Sequence, residues 1–262
     1  MNGIWNEWNM EYDGNGINKI DIYNTEDTQF RIMSSSPSSS SYHFSSEPLI
    51  QSCPLPKTMI SHKGRVHSSL TISAAKIEPL SALLKRNKKH MEYQITEQLI
   101  ECIGRQLQHL ERENKGISSF NIDDITVFHA NDGDETMMYF AITNDEKIHE
   151  INDDNNLEIT APYPKEYTDT ATATTKNKAF HSPEFKEFIS KKTLPYNLHF
   201  KSGYYSFGLL CLYCYVSRTP PTQTDKKDVY DATLAPILNT KIYWFLKQVL
   251  QENPIERRYI CV

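Results

Sequence analysis

The chain has 262 residues, a formal net charge of −5 and a pI near 6.0. This length suffices for one sizeable buried core, or for one domain with an irregular arm. The acidic balance excludes a global basic surface, so we expect no nucleic-acid partner. Its five cysteines are an odd number without framework spacing, which fits a reducing compartment better than a disulfide scaffold.

The hydropathy pattern favours a protein without a membrane partner. Residues 204–216 form the longest apolar block, and it is shorter than a bilayer requires. The first residues have neither a basic region nor an apolar run, so we expect no signal peptide. We therefore expect an intracellular, cytoplasmic protein, and the sequence leaves its oligomeric state open.

Residues 1–64 predict an irregular N-terminal region. Apolar and aromatic residues at 20–23 and 30–32 predict two short strands. Residues 34–48 are serine-rich and predict a linker or disordered loop. Such a run buries too little apolar surface to offset the entropy lost when it is ordered.

From Arg65 onward, the pattern of apolar and polar residues predicts regular helices and strands. Pro79 suits the first turn of a short helix whose cations gather at its C-terminal end. Residues 91–113 predict the clearest helix, because apolar residues recur at three- and four-residue steps. The predicted elements are a strand at 65–73, helices at 77–89 and 91–113, a strand pair at 118–130 and 136–144, and helices at 204–216 and 238–254, with loops at 151–180 and 217–228.

Three short motifs resemble the eukaryotic protein-kinase family. Ser182-Pro183-Glu184 is similar to the A-P-E that ends the family's activation segment. Residues 203–208, GYYSFG, are similar to the D-V-W-S-F-G of its central helix, and residues 253–257, NPIER, to its D-P-x-x-R. The element order from Arg65 is also that of the family's C-lobe.

This resemblance covers residues 65–262 and implies a divergent protein-kinase-like fold. The expected fold class is α+β and mainly α-helical, with a C-lobe domain at 65–262 and a reduced or irregular N-terminal part at 1–64. With the serine-rich run at 34–48 excluded, residues 1–64 are expected to be too few for the family's five-stranded N-lobe.

The resemblance also implies two structural roles. Glu184 and Arg257 are expected to form a buried ion pair, for which the arginine fork suits a carboxylate. Gly203 stands where the family keeps an aspartate that braces the catalytic loop. We expect a chain without the catalytic aspartate to have less need of that brace.

The catalytic positions are degenerate. In the family's H-R-D-L-K-P-E-N loop, the aspartate positions the substrate hydroxyl and the asparagine holds a metal ion. The base position falls here on Asn121, an amide without useful basicity near neutral pH, and the metal position falls on Asp124. The D-F-G motif has no counterpart, and Asp145 becomes a metal ligand only if the register slips by one. The nucleotide-binding lysine is also missing.

The leading hypothesis is a catalytically inactive kinase-like (pseudokinase) module that binds another protein and needs no cofactor. One candidate docking surface is the aromatic group Tyr204, Tyr205, Tyr213 and Tyr215, for which burial in the core is the simpler interpretation.

Two alternatives remain open. The first is an atypical Ser/Thr protein kinase that binds Mg-ATP through Asp124 and Asp145, with Asp123 as its base. The second is a phosphorylation-regulated adaptor that uses the serine-rich run at 34–48 and the threonine-rich residues 168–175.

Other chemistries are weakly indicated. Cys211 and Cys214 lie in an apolar helix without a second Cys/His pair, so they predict buried small hydrophobes rather than a zinc site. Residues 85–89 form a basic run, which helix C-terminal capping explains without a nucleic acid. No metal site is predicted.

Overall fold

The computed structural model describes residues 18–24, 30–32, 42–44, 60–63, 69–74, 76–87, 90–132, 135–142, 144, 147–160, 179–191, 193–216 and 234–259. Its α-helices are α1 Leu80–Arg86, α2 Tyr93–Arg112, α3 Pro183–Lys191, α4 Ser202–Val216 and α5 Lys241–Val249. Its strands are β1 Asn18–Asn24, β2 Phe30–Ile32, β3 Tyr42–Phe44, β4 Ile60–Lys63, β5 Ser69–Ala74, β6 Lys76–Pro79, β7 Lys115–Ile117, β8 Phe120–Asn121, β9 Ile125–Asp132, β10 Glu135–Ile142, β11 Ile148–Glu150, β12 Asn156–Ile159, β13 Ala179–Phe180 and β14 Tyr196–His199.

The N-terminal strands form a five-stranded sheet of order β3-β2-β1-β5-β4 with antiparallel neighbours. The predicted strands at 20–23 and 30–32 are confirmed, with Ile22 opposite Ile32. Residues 1–64 supply four of these strands, and β5, which follows them, is the fifth. The expectation of a reduced N-terminal part stays a prediction. β3 lies inside the run predicted to be a linker. Tyr42 and Phe44 favour strands individually, but the surrounding serines mask that signal.

The predicted strand pair is the hairpin of β9 and β10, with Ile125 opposite Ile142. β6 extends this sheet on the other side of β9. Pro79 ends β6 and precedes α1, whereas the sequence placed it in the first turn of that helix. A proline fits the end of a strand because it has no N–H to offer to the ladder.

The core lies around three helices. α2 buries the apolar positions that its periodicity predicts, including Leu99, Ile103 and Leu107. α4 is buried on nearly all sides, as expected of a helix that is apolar around its whole circumference. α5 packs against it at Gly208, where an added Cβ would lie 2.5 Å from Val249 Cγ2.

The fold class is mixed α and β. The expectation of a mainly helical chain is wrong for the described residues, which contain fourteen strands and five α-helices. Several of these strands, such as β7, β8 and β13, have two or three residues. That length is too short for an alternating pattern to stand out in the sequence. Within the described ranges, no helix has the length and apolar character needed to cross a membrane.

An ionic cluster around the buried Glu78 and His129 joins β6, α1 and β9, with the half-exposed Lys76 and Arg86 at its edge. The Glu78 carboxylate contacts Lys76 at 2.8 Å, Arg86 at 2.7 Å and His129 Nε2 at 2.9 Å. Burial raises the pKa of Glu78, but hydrogen bonds from Lys76, His129 and Arg86 outweigh it, so the pKa lies below its ordinary value. Burial lowers the pKa of His129 despite its contact with the carboxylate. The cluster is therefore built for a charged Glu78 and a neutral His129.

We expect the protein to lose stability as the pH falls from about 7.5 to about 5.5. Burial lowers the pKa of His129, His149 and His199 in the folded state. The unfolded chain then takes up protons first, so stability is full above the unfolded pKa near 6.5 and declines below it. Urea midpoints at the two pH values measure this loss. It should shrink in His149→Gln and persist in His90→Gln, which changes an exposed ring. A midpoint that rises on acidification would contradict the expectation.

Candidate functional site

The predicted catalytic residues lie in one buried region, which we call the loop site: residues 118–125 together with Asn144 and Lys147. The loop runs from β7 through β8 and a 3-10 turn at Ile122–Asp124 into β9. Its side chains are buried apart from Asp123, which is exposed. The loop site therefore brings Asn121 and Asp124 together inside the protein and leaves the alternative base, Asp123, at its surface.

The Asp124 carboxylate accepts hydrogen bonds on both oxygens. Asn144 Nδ2 donates to Oδ1 at 2.8 Å, and the Asn121 backbone N–H donates to Oδ2 at 2.5 Å. Lys147 Nζ lies 2.6 Å from the same Oδ2. The side chains of Asp124 and Lys147 are only 6% and 2% exposed. A carboxylate in this environment is neutralised by a cation of the protein itself.

Backbone pairing fixes Lys147 beside the loop. Its carbonyl accepts hydrogen bonds from Ser118 N at 3.0 Å and from Ser118 Oγ at 3.3 Å. The next residues form β11, which pairs antiparallel with β7 so that Ile148 lies opposite Ile117. Lys147 therefore joins the loop site through both its main chain and its side chain. The sequence did not predict this role, because a lysine after Asn-Asp-Glu resembles a solvated turn.

Asn121, the predicted degenerate base position, is also buried. It belongs to β8, which pairs with β13 so that Asn121 lies opposite Ala179 and Phe120 opposite Phe180. The predicted metal ligand Asp145 lies outside the described residues. The metal-binding roles of Asp124 and Asp145 stay predictions.

Two serines of α4 hold the loop in place. Ser202 Oγ donates to the Ser118 carbonyl at 2.9 Å. The Phe120 N–H donates to Ser206 Oγ at 2.7 Å, and Ser206 in turn donates to the carbonyl of Phe180. Serine hydroxyls therefore brace the loop, and the expectation that this chain has less need of the aspartate brace stays a prediction. The only sequence signal for it was the occurrence of hydroxyls in a helix that is otherwise apolar.

Gly203 lies where α4 touches β7. A Cβ at this position would stand 2.3 Å from the Ile117 carbonyl oxygen, a distance that real Cβ atoms do not show. The aspartate that the resemblance places at this position therefore has no room in the present backbone. The hydrogen bonds from the neighbouring serines need the same close approach of helix and loop.

The Ser182-Pro183-Glu184 motif is tied to the rest of the chain at two points. Ser182 Oγ accepts a hydrogen bond from Phe185 N at 3.2 Å and lies 2.6 Å from Ser202 Oγ. Ser182 thus caps α3 and joins its start to that of α4. Glu184 and Arg257, the predicted ion pair, form a bidentate contact. Arg257 Nη1 donates to Glu184 Oε1, and Nη2 donates to Oε2 at 2.9 Å.

Arg257 is fully buried, and its remaining N–H groups find backbone partners. It donates to the carbonyls of Gln251 at 2.7 Å, Glu252 at 2.9 Å and Lys201 at 3.2 Å. Its guanidinium also lies 4.8 Å from the centre of the Tyr205 ring. This one side chain therefore connects α3, the start of α4 and the segment after α5.

The aromatic residues suggested as a docking surface belong to the core. Tyr204, Tyr205 and Tyr213 are buried, and Tyr215 is half-buried against the same core. Burial in the core, the simpler interpretation, therefore holds for Tyr204, Tyr205 and Tyr213, which form no docking surface. It agrees with a helix that is apolar around nearly its whole circumference.

Cys211 and Cys214 are free and buried, and burial raises the pKa of both thiols. This agrees with the interpretation as small hydrophobes. Across the part of the chain that the structure describes, no group of three or more His, Cys, Asp or Glu side chains is arranged to hold a metal ion.

Comparison with known proteins adds little to these observations. No family model matches the chain, and no curated protein matches it. One similar solved structure is the crystal structure of the Rad53 kinase domain and SCD2 in complex with AMPPNP. It is 11% identical with a TM-score of 0.45, and the match covers 92% of this chain and 85% of that one.

Proposed function

We propose that this chain is a catalytically inactive protein-kinase-like module that acts by binding another protein. The observation that carries the proposal is the state of the loop site. The position expected for the catalytic base has an amide, Asn121. The carboxylate expected to hold a metal ion, that of Asp124, forms an ion pair with Lys147.

Phosphoryl transfer depends on positioning and on stabilisation of developing charge. Asn121 has no carboxylate with which to orient a substrate hydroxyl. Asp124 already accepts hydrogen bonds from Asn121, Asn144 and Lys147, so a metal ion would have to displace protein donors. Each of these departures is expected to reduce a transfer rate by orders of magnitude.

The kinase-like part of the proposal rests on retained structural motifs. The residues that resemble A-P-E and D-P-x-x-R supply Glu184 and Arg257, which meet although 73 positions separate them. The order of α1, α2, the β9–β10 hairpin, α3 and α4 is the order that the resemblance implies for residues 65–262. Structural contacts thus persist where catalytic residues do not.

Protein binding is the use that this combination favours, by analogy with other kinase-like domains that have lost catalysis. The acidic composition argues against a nucleic-acid partner. The proposal requires no cofactor, and it places the protein in the cytoplasm. Size-exclusion chromatography of native-cell extract tests the binding: the chain is expected in a complex larger than its own 30.4 kDa mass. Elution at its own mass would contradict the proposal.

A titration with Mg-ATP tests the loss of catalysis. We expect the melting temperature to stay unchanged, because the loop site already contains its own cation. Incubation with labelled ATP and varied protein substrates should give no incorporation of phosphate. Incorporation that disappears in Asp124→Ala or Asp145→Ala would support the atypical kinase and contradict this proposal. Incorporation lost in Asp123→Asn would identify its base.

A further inference from the structure

Lys147 is a buried lysine, with 2% of its side chain exposed. Removing an ammonium group from water is unfavourable unless a partner of opposite charge and further hydrogen bonds compensate it. A lysine that only decorates a turn would extend into solvent instead. Its burial therefore indicates that the loop site requires a positive charge at this position.

The position of this charge relative to the loop is specific. Lys147 Nζ lies 2.6 Å from Asp124 Oδ2, the oxygen that also accepts the Asn121 N–H. The 3-10 turn at Ile122–Asp124 is thus held by a carboxylate whose charge the ammonium balances. Asn144 donates to the other oxygen at 2.8 Å, so the amide presents its NH2 group to the carboxylate.

We propose that the Lys147 ammonium is a permanent, covalently attached substitute for a divalent cation, and that it fixes the loop site without metal or nucleotide. The inference rests on the proposed function, which it deepens by stating how an inactive site keeps its shape. A divalent ion at Asp124 would meet the ammonium as a like charge. It would also require Asn144 to rotate so that the amide oxygen faced it, since magnesium takes oxygen ligands.

A double-mutant cycle tests this substitution. Lys147→Met and Asp124→Asn each leave one buried polar group without its counter-charge, and each is expected to lower the melting temperature by about 10 °C. The double variant removes both charges, and its melting temperature is expected to fall by much less than the two single losses added together. Single variants that melt like the wild type, or losses that add, would overturn the proposal. Should a single variant fail to fold, a folded double variant supports it and an unfolded one overturns it.

An exposed ion pair provides the matched control for the cycle. Lys241 and Glu97 lie 3.2 Å apart with side chains 63% and 26% exposed. Lys241→Met and Glu97→Gln are expected to shift the melting temperature by no more than about 2 °C and to combine additively. The comparison separates the buried charge requirement from the general effect of removing a lysine.

Ligand rescue tests whether a free ammonium can enter the volume that the Lys147 side chain leaves and stabilise the loop site. Lys147→Ala creates a vacant volume and removes the ammonium from Asp124, so ethylammonium is expected to raise its melting temperature. The same amine should have no effect on Lys147→Met, where the methionine fills the volume. Equal responses of the two variants would overturn the proposal.

Paramagnetic Mn²⁺ tests the metal part directly on the wild-type chain. Electron paramagnetic resonance is expected to show no Mn²⁺ bound at Asp124. A bound-ion signal that is present in the wild type and lost in Asp124→Asn would overturn the inference. The proposed function would still stand in that case, provided that no phosphate is transferred. Transfer of phosphate would overturn the proposed function whatever the double-mutant cycle shows.

Discussion

Replacing Arg257 with methionine is expected to lower the free energy of unfolding by about 3–5 kcal/mol. Methionine keeps much of the buried volume but removes the charge that faces Glu184, whose side chain is 17% exposed. Three backbone carbonyls, those of Gln251, Glu252 and Lys201, also lose the donor that Arg257 provides. The Lys201 carbonyl keeps the Tyr205 N–H at 3.4 Å. The melting temperature should fall by about 6–20 °C, measured by differential scanning calorimetry.

The same pair can be broken from its other side. Glu184→Ala leaves Arg257 as a fully buried cation with its carbonyl partners but no counter-charge, so a loss of similar size is expected. Arg258→Met is the matched control, because Arg258 is adjacent in sequence and exposed. Its effect should stay within about 0.5 kcal/mol. A Glu184→Ala variant that melts like the wild type would show that the contact does not stabilise the fold.

Different features of the sequence predicted different parts of the fold. Periodicity predicted α2, since one apolar residue per turn is visible over twenty residues. The strand pair predicted at 118–130 and 136–144 corresponds to the β9–β10 hairpin. Motif resemblance predicted the contact of Glu184 with Arg257 across 73 positions, which no local pattern could do.

The loop site was only partly predictable, for physical reasons. The positions of Asn121 and Asp124 in one loop followed from sequence adjacency. Lys147 was missed because the sequence does not distinguish a buried lysine from a solvated one. Its burial shows only in the structure, through the contact with Asp124. Ser202 and Ser206 were missed because their partners are main-chain groups of residues 118, 120 and 180. A carbonyl or an N–H has no signature in the sequence.

Changing Gly203 to aspartate is expected to destabilise the protein by about 3 kcal/mol or more. The substitution introduces the residue that the resembled family carries at this position, but its Cβ would lie 2.3 Å from the Ile117 carbonyl oxygen. The clash is between the new Cβ and a backbone oxygen, so rotation of a side chain cannot relieve it. Overpacking of this kind costs about 1–3 kcal/mol. Separation of α4 from the loop would also break the hydrogen bonds made by Ser202 and Ser206, at about 1 kcal/mol each.

Two variants separate the steric cause from the electrostatic one. Gly203→Ala has the same Cβ without a charge and is expected to retain most of the loss. Gly116→Ala is the matched control, because the nearest atom to its Cβ is Leu157 Cδ2 at 3.0 Å, at the end of a flexible side chain. Chemical denaturation should therefore show the largest loss of unfolding free energy for Gly203→Asp, a smaller one for Gly203→Ala and the smallest for Gly116→Ala.

The outcome bears on how the loop site is held. If Gly203→Ala accounts for the loss, the close approach of α4 to β7 replaces the bracing role of an aspartate, and the serines on either side supply the hydrogen bonds. An aspartate can then return only if the backbone at Ile117 moves away. That movement would also disturb Ser118, which holds the carbonyl of Lys147. A Gly203→Asp variant as stable as the wild type would contradict this coupling, because it would show that helix and loop can separate without loss.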